Sequence, residues 1–199
     1  MKHKDNIREL KLKKVEQLEL NQGALSVLHW FFAYPEVKIT LTELSKELGI
    51  SKKTASRVVT DLAKKNFLIV EQIGRSWRIH CNIQHPYNRI YKIGQNLSLV
   101  YSSGIIEEIY GLIGNPKAII LFGSYRKGDD IGTSDLDIAI EILGNEDLRI
   151  LNLGTIAQLG FRKNVQVNLH IFSRNKIDLN LFANITNGIV LDGFLEART

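Results

Sequence analysis

Asp135 and Asp137, two positions apart in Ser134-Asp135-Leu136-Asp137-Ile138-Ala139-Ile140, are the residues of this chain best placed for chemistry. The segment alternates at a period of two, so it reads as a strand whose successive side chains point to opposite faces. The two carboxylates then share one face, while Leu136, Ile138 and Ile140 take the other and go to a core. Like charges at that spacing repel, and buried acids need a partner. A hard divalent cation with oxygen ligands is the natural one. Upstream, the apolar run 118–122 reads as a first strand and is broken by Gly123-Ser124, followed by Arg126 and Lys127. Gly123 lets backbone approach closely, and backbone N–H groups with the Ser124 hydroxyl suit phosphate oxygens. Phosphoryl-type transfer asks for little beyond such positioning and charge neutralisation. Taken singly the pieces have plainer readings: an ordinary Gly-Ser turn, a Ser134-Asp135 turn before a strand, and a solvated Asp137. A Walker-type phosphate loop is excluded, because no Gly-Lys-Ser/Thr follows.

The order strand, Gly123-Ser124, basic residues, Gly128, then Ser134-Asp135-x-Asp137 on a second strand resembles the signature of the DNA polymerase β-like nucleotidyltransferase superfamily, its small minimal nucleotidyltransferase members above all. The resemblance spans residues 84–199. It implies that Gly123, Ser124, Arg126, Lys127 and Ser134 bind the nucleotide, ATP being the expected NTP. It also implies that Asp135 and Asp137 are the catalytic pair and hold Mg2+ or Mn2+, and that a third acid on a later strand completes the site. That strand is expected at residues 164–172, where Val165, Val167, Leu169 and Ile171 alternate with Gln166, Asn168 and His170. The third acid is missing. The matching position is Asn168, with Gln166 as the other choice. An asparagine offers a cation its carbonyl oxygen but is neutral and cannot act as a base. One-ion binding therefore survives this departure, and two-ion chemistry is put in question. His170, on the same face, is either a substitute base or a structural hydrogen-bonding group.

The elements around this centre follow from patterning. A helix is expected at residues 5–20, either packing on its own domain or pairing two copies into a homodimer. An apolar helix over residues 24–34 would bury Leu25, Leu28, Phe31 and Phe32. Thr40-Leu41-Thr42-Glu43 is a capping box opening a second helix, and Ser51 caps a third over residues 52–66. A hairpin follows, turning at Ile73-Gly74-Arg75-Ser76. Helix, glycine turn, helix and hairpin over residues 22–83 resemble the winged helix-turn-helix family. That resemblance implies double-stranded DNA as a partner. Lys52, Lys53, Thr54 and Arg57 would lie at the exposed start of the recognition helix, and Arg75 and Arg78 on the wing. The alternative is a solvated surface used for protein contacts. Residues 90–113 read as helix, divided at Gly94 and at Ser102-Ser103-Gly104, and residues 145–159 also read as helix. A short helix at residues 178–185 and a short strand at 188–194 close the chain.

The expected fold class is α/β of the α+β kind. It comprises an N-terminal helix (1–21), a winged helix-turn-helix (22–83) and a nucleotidyltransferase-like domain with a mixed sheet flanked by helices (84–199). Residues 1–83 hold 15 Lys+Arg against 9 Asp+Glu, a net +6, while the rest carry −1 of the total +5. A basic first part and a near-neutral second part suggest two tasks, a polyanion partner belonging to the first. No membrane-length apolar run or secretory stretch is present, so a cytoplasmic location and no membrane partner are expected. The single cysteine, Cys81, rules out an internal disulfide and suits packing in a strand. The expected function is metal-dependent transfer of a nucleoside monophosphate from NTP to an acceptor hydroxyl. Two alternatives stand beside it: a DNA-binding regulator whose transferase-like domain binds nucleotide without turnover, and an antitoxin-type partner.

Overall fold

The computed structural model describes residues 21–196. The helix expected at residues 5–20 lies outside them, and the homodimer expectation with it. The first described helix, α1 (Gln22–Ala33), begins where the Asn21 side chain accepts the Ala24 N–H at 3.0 Å, and it ends before Pro35. After a two-residue strand β1 (Ile39–Thr40) comes α2 (Leu41–Glu47), opened by the capping box of Thr40 and Glu43. Gly49, at φ +62, turns the chain, and Ser51 caps α3 (Lys52–Lys64) by accepting the Thr54 N–H. The hairpin of β2 (Leu68–Ile73) and β3 (Ser76–Cys81) joins β1 in a sheet of order β1-β3-β2. Val27, Leu28, Phe31, Leu44, Val59, Leu62, Phe67 and Ile79 form the core between these helices and the sheet. Leu25, expected in that core, is instead 38% exposed. It lies in the first turn at the margin of the buried face, because α1 buries only part of a stretch that is apolar nearly all round.

Three helices then lead to the second sheet: α4 (Tyr87–Ile90), α5 (Lys92–Ser102) and α6 (Ile105–Ile113). The breaks fall at Tyr91 and at Ser103-Gly104, not at Gly94, which sits inside α5. A helical glycine costs about 1 kcal/mol, which the packing of Val100 and the burial of Lys92 and Asn96 on the same helix override. The five strands are β4 (Ala118–Phe122), β5 (Leu136–Glu141), β6 (Arg149–Leu159), β7 (Arg162–Phe172) and β8 (Ile189–Gly193). Their order is β6-β7-β5-β4-β8, with β5 and β7 parallel and the other pairs antiparallel. A five-residue helix, α7 (Gly123–Lys127), follows β4, and α8 (Leu179–Thr186) starts at Asp178, whose side chain caps it. One sheet face buries Leu121, Leu136, Ile138, Ile140, Val167 and Leu169 against Val100, Ile105 and Ile109 of α5 and α6. The other buries Ile120, Phe122, Ala139 and Phe172 against Ile185 of α8. The whole is a mixed α/β architecture with two sheets.

Residues 145–159, read above as helix, are the exception. Most of them form β6, an edge strand paired with β7 along its length and exposed on both faces. Only Leu159 of its apolar residues is buried, with Leu153 and Ile156 partly covering the core, so their spacing carried no reliable period. Gly154 disfavours a helix and sits at a register shift, and Gly160, at φ +61, takes the first position of a two-residue hairpin loop. The strong alternation of β7 then fixes the pairing of its neighbour. Among the described residues no helix is long and apolar enough to cross a membrane.

Candidate functional site

Sheet register assembles the site. Antiparallel pairing sets Phe122 opposite Asp137, so the glycine that follows Phe122 arrives beside that carboxylate. Gly123 lies at φ +71, and a Cβ there would sit 2.7 Å from Asp137 Oδ2. Only glycine allows both that backbone and that approach. On the other side, parallel pairing sets Asn168 opposite Asp137. The Asn168 amide Nδ2 donates to Asp135 Oδ2 at 3.2 Å and to Asp137 Oδ1 at 3.4 Å, while its Oδ1 accepts from Gln166 Nε2 at 3.4 Å. The two aspartates thus converge on one amide group next to the Gly123-Ser124 bend. All three side chains are half-buried. His170 stands two residues further along β7, its Nε2 3.7 Å from Asp137 Oδ1 and its ring edge-on to Phe122. Its Nδ1 is buried and has no hydrogen-bond partner among the described residues.

The remaining residues expected to bind a nucleotide are placed less uniformly. The Ser124 hydroxyl takes no hydrogen-bond partner among the described residues, leaving it open to a ligand. Arg126 is half-buried and Lys127 exposed, and neither makes an ion pair among the described residues. Lys127 lines a cleft of about 300 Å³ with Asn88, Arg89 and Gly128, whose walls do not include the two aspartates. Ser134 is occupied in its own turn, its hydroxyl accepting the Ile131 N–H at 2.9 Å. Gln166 orients Asn168 and does not replace it.

A buried polar network that sequence reasoning missed holds the turn between Gly128 and Asp135. The Lys92 amine is 3.3 Å from Asp130 Oδ1 and also donates to the Asp130 carbonyl, and both residues are almost fully buried. Asn96 Nδ2 adds bonds to Asp130 Oδ1 (2.8 Å) and to the Tyr125 carbonyl (3.0 Å). Burial pushes the Asp130 carboxyl above its ordinary range and the Lys92 amine below its own, and their mutual attraction opposes both. Burial likewise pushes the Tyr125 hydroxyl up, with Arg162 opposing. The Arg162 guanidinium, 5% exposed, donates to the Gly132 carbonyl at 3.2 Å, to the Ser134 carbonyl and to the Tyr125 hydroxyl. From the first unit, Glu36 Oε1 accepts the Gly132 N–H at 2.9 Å, and the Tyr34 hydroxyl donates to the Phe161 carbonyl at 2.8 Å. The available signal was Lys92 and Asn96 four residues apart on an otherwise core-facing side of α5.

On the first unit, Lys52, Lys53, Arg57, Arg75 and Arg78 are exposed, and none makes an ion pair among the described residues. Thr54 differs, because its hydroxyl is 2.9 Å from that of Ser51 within the α3 cap.

The donor set suits a hard cation. Asp135 and Asp137 offer four carboxylate oxygens, and Asn168 offers a carbonyl oxygen once its amide turns over. Among the described residues no group of three or more His, Cys, Asp or Glu side chains could hold a metal. Residues 106–192, which include Gly123, Ser124, both aspartates and Asn168, match the family model described as Polymerase beta, Nucleotidyltransferase. No curated protein matches the chain.

Proposed function

We propose that the protein, through its polymerase β-type nucleotidyltransferase domain, transfers a nucleoside monophosphate from NTP, ATP in the first instance, to an acceptor hydroxyl. The observation that carries this reading is the convergence of Asp135 and Asp137 on a single amide, beside a bend where Gly123 leaves room for phosphate. Asp135 and Asp137 would hold Mg2+ or Mn2+, which when bound offsets the charge of the phosphates. The Ser124 hydroxyl and the backbone at Gly123 orient the phosphate chain, and Arg126 and Lys127 add positive charge. Calorimetric titration with Mg2+ and ATP tests it. Binding is expected for the native chain and is lost in Asp135→Ala and Asp137→Ala, and equal binding by both variants would end the reading.

A second reading has an observation of its own. Asn168 is neutral and stands in register with Asp137, where the third carboxylate of the resembled family would act as base. On that reading the domain binds nucleotide without turnover and the protein is a regulator. Incubation with labelled NTP and cellular RNA or protein separates the two, since label transfer supports the transferase and its absence the regulator. On either reading residues 22–83 form a winged helix on double-stranded DNA, with Lys52, Lys53, Arg57, Arg75 and Arg78 as the cations that meet it.

A further inference from the structure

The geometry points to Arg162 as the positioning residue of this site, a guanidinium that fixes the spacing between the phosphate side and the cation side, with Glu36 of the first unit gripping the same turn from outside. This inference rests on the nucleotide and cation reading given above.

Arg162 is buried, yet no carboxylate lies within 4 Å of it among the described residues, and its bonds go to neutral oxygens. Burying a charge on those terms is costly, and a position needed only for packing is better served by an apolar side chain. What the guanidinium offers is a rigid planar fork with donors in several directions, which a lysine or a neutral chain cannot copy. Its acceptors sit on both halves of the site. The Tyr125 hydroxyl belongs to α7, one residue from Ser124. The Ser134 carbonyl is one residue from Asp135, and the Gly132 carbonyl three. The turn between them is irregular, so its buried carbonyls have no ladder to enter and depend on such donors. Misplacement of a reacting group by about 1 Å costs on the order of a hundredfold in rate, so the fork acts directly on function.

Glu36 completes the grip. The Gly132 peptide is held at its carbonyl by Arg162 and at its N–H by Glu36. A Cβ at Gly132 would lie 2.8 Å from Glu36 Oε1 and 3.1 Å from the Tyr34 ring, so a side chain there would displace the Glu36 carboxylate. Tyr34 meanwhile holds Phe161, the neighbour of Arg162. The segment after α1 therefore holds both the residue before the fork and the turn the fork clamps.

Glu36 is exposed, so its substitution is expected to leave folding intact, which makes it the cleaner probe. The test is calorimetric affinity for Mn2+·ATP, with thermal midpoints measured in parallel on the full chain. Arg162→Lys is expected to weaken binding about tenfold or more, and Glu36→Ala about threefold to tenfold with an unchanged midpoint. Glu36→Gln, which keeps a carbonyl acceptor, is expected to restore native affinity. If Arg162→Lys and Glu36→Ala bind as the native chain does, or weaken only in proportion to lost stability, the positioning role is overturned while the nucleotide reading stands. If the native chain itself binds no Mn2+·ATP, both fall.

Discussion

The two halves of the molecule put their charges in opposite places. In the first unit the cations at the start of α3 and along the hairpin stand in solvent, without carboxylate partners among the described residues. In the second, Lys92 faces Asp130, Arg162 faces backbone oxygens, and Glu141 sits between Lys117 (3.8 Å) and Arg174 (2.8 Å), all largely out of water. Solvated charges hold no fixed geometry and contribute little to stability, so they are free to meet an external polyanion. Buried charges contribute shape: each demands its partner, and the demand fixes a loop.

The sharpest way to break that contrast is to remove one inside partner. Lys92→Met strands the Asp130 carboxylate and is expected to cost about 3–5 kcal/mol in urea denaturation, most of it recovered in Lys92→Met combined with Asp130→Leu. The penalty should also depend on pH. In the variant, burial keeps the Asp130 carboxyl above its ordinary value of 3.8 with no amine to pull it down, so the fold holds a proton that the unfolded chain has released. Stability then falls as pH rises between those two values, and the penalty is larger near neutrality than in acid. A cost under about 1 kcal/mol, flat with pH, would show that these inside charges are as dispensable as the outside ones.

Asn168→Asp probes the site itself. It removes the amide donor shared by Asp135 and Asp137 and adds a third negative charge, for an expected cost of about 2 kcal/mol without metal. Added Mn2+ should raise the thermal midpoint of this variant more than that of the native chain, and an equal rise would place the cation elsewhere. The outside charges should behave differently. Lys53→Glu with Arg57→Glu is expected to change stability by less than about 0.5 kcal/mol, yet to lower the salt-dependence slope of duplex DNA binding by about 2. An unchanged slope would assign that face to a protein. The smallest effect is at Cys81, whose thiol burial pushes up to about 11. In the native chain it should resist alkylation at mildly alkaline pH and react once unfolded.

What the sequence revealed follows the same division. The apolar run of β4, the alternation of β7, the caps at Thr40 and Ser51 and the Asp135-x-Asp137 pair were legible, because each is written in neighbouring residues. The place of Asn168 on the face of the aspartates was readable because β7 alternates cleanly, and the structure puts it in register with Asp137. The Lys92–Asp130 pair and the Arg162 fork were not legible, since their partners lie 28 to 38 residues away and the charges gain meaning only on folding. β6 was misread for a related reason: it buries almost nothing, and its conformation is dictated by the strand beside it.

Phe161 carries one more consequence. Its ring packs against the core of the first unit although it sits at the tip of the β6–β7 loop, 80 residues past Cys81, the last buried member of that core. A fragment ending after β3 would therefore have an unfilled socket and a bare patch where the tip inserts. Heating the intact chain should melt both parts in one calorimetric transition, because neither loses its structure without uncovering the other.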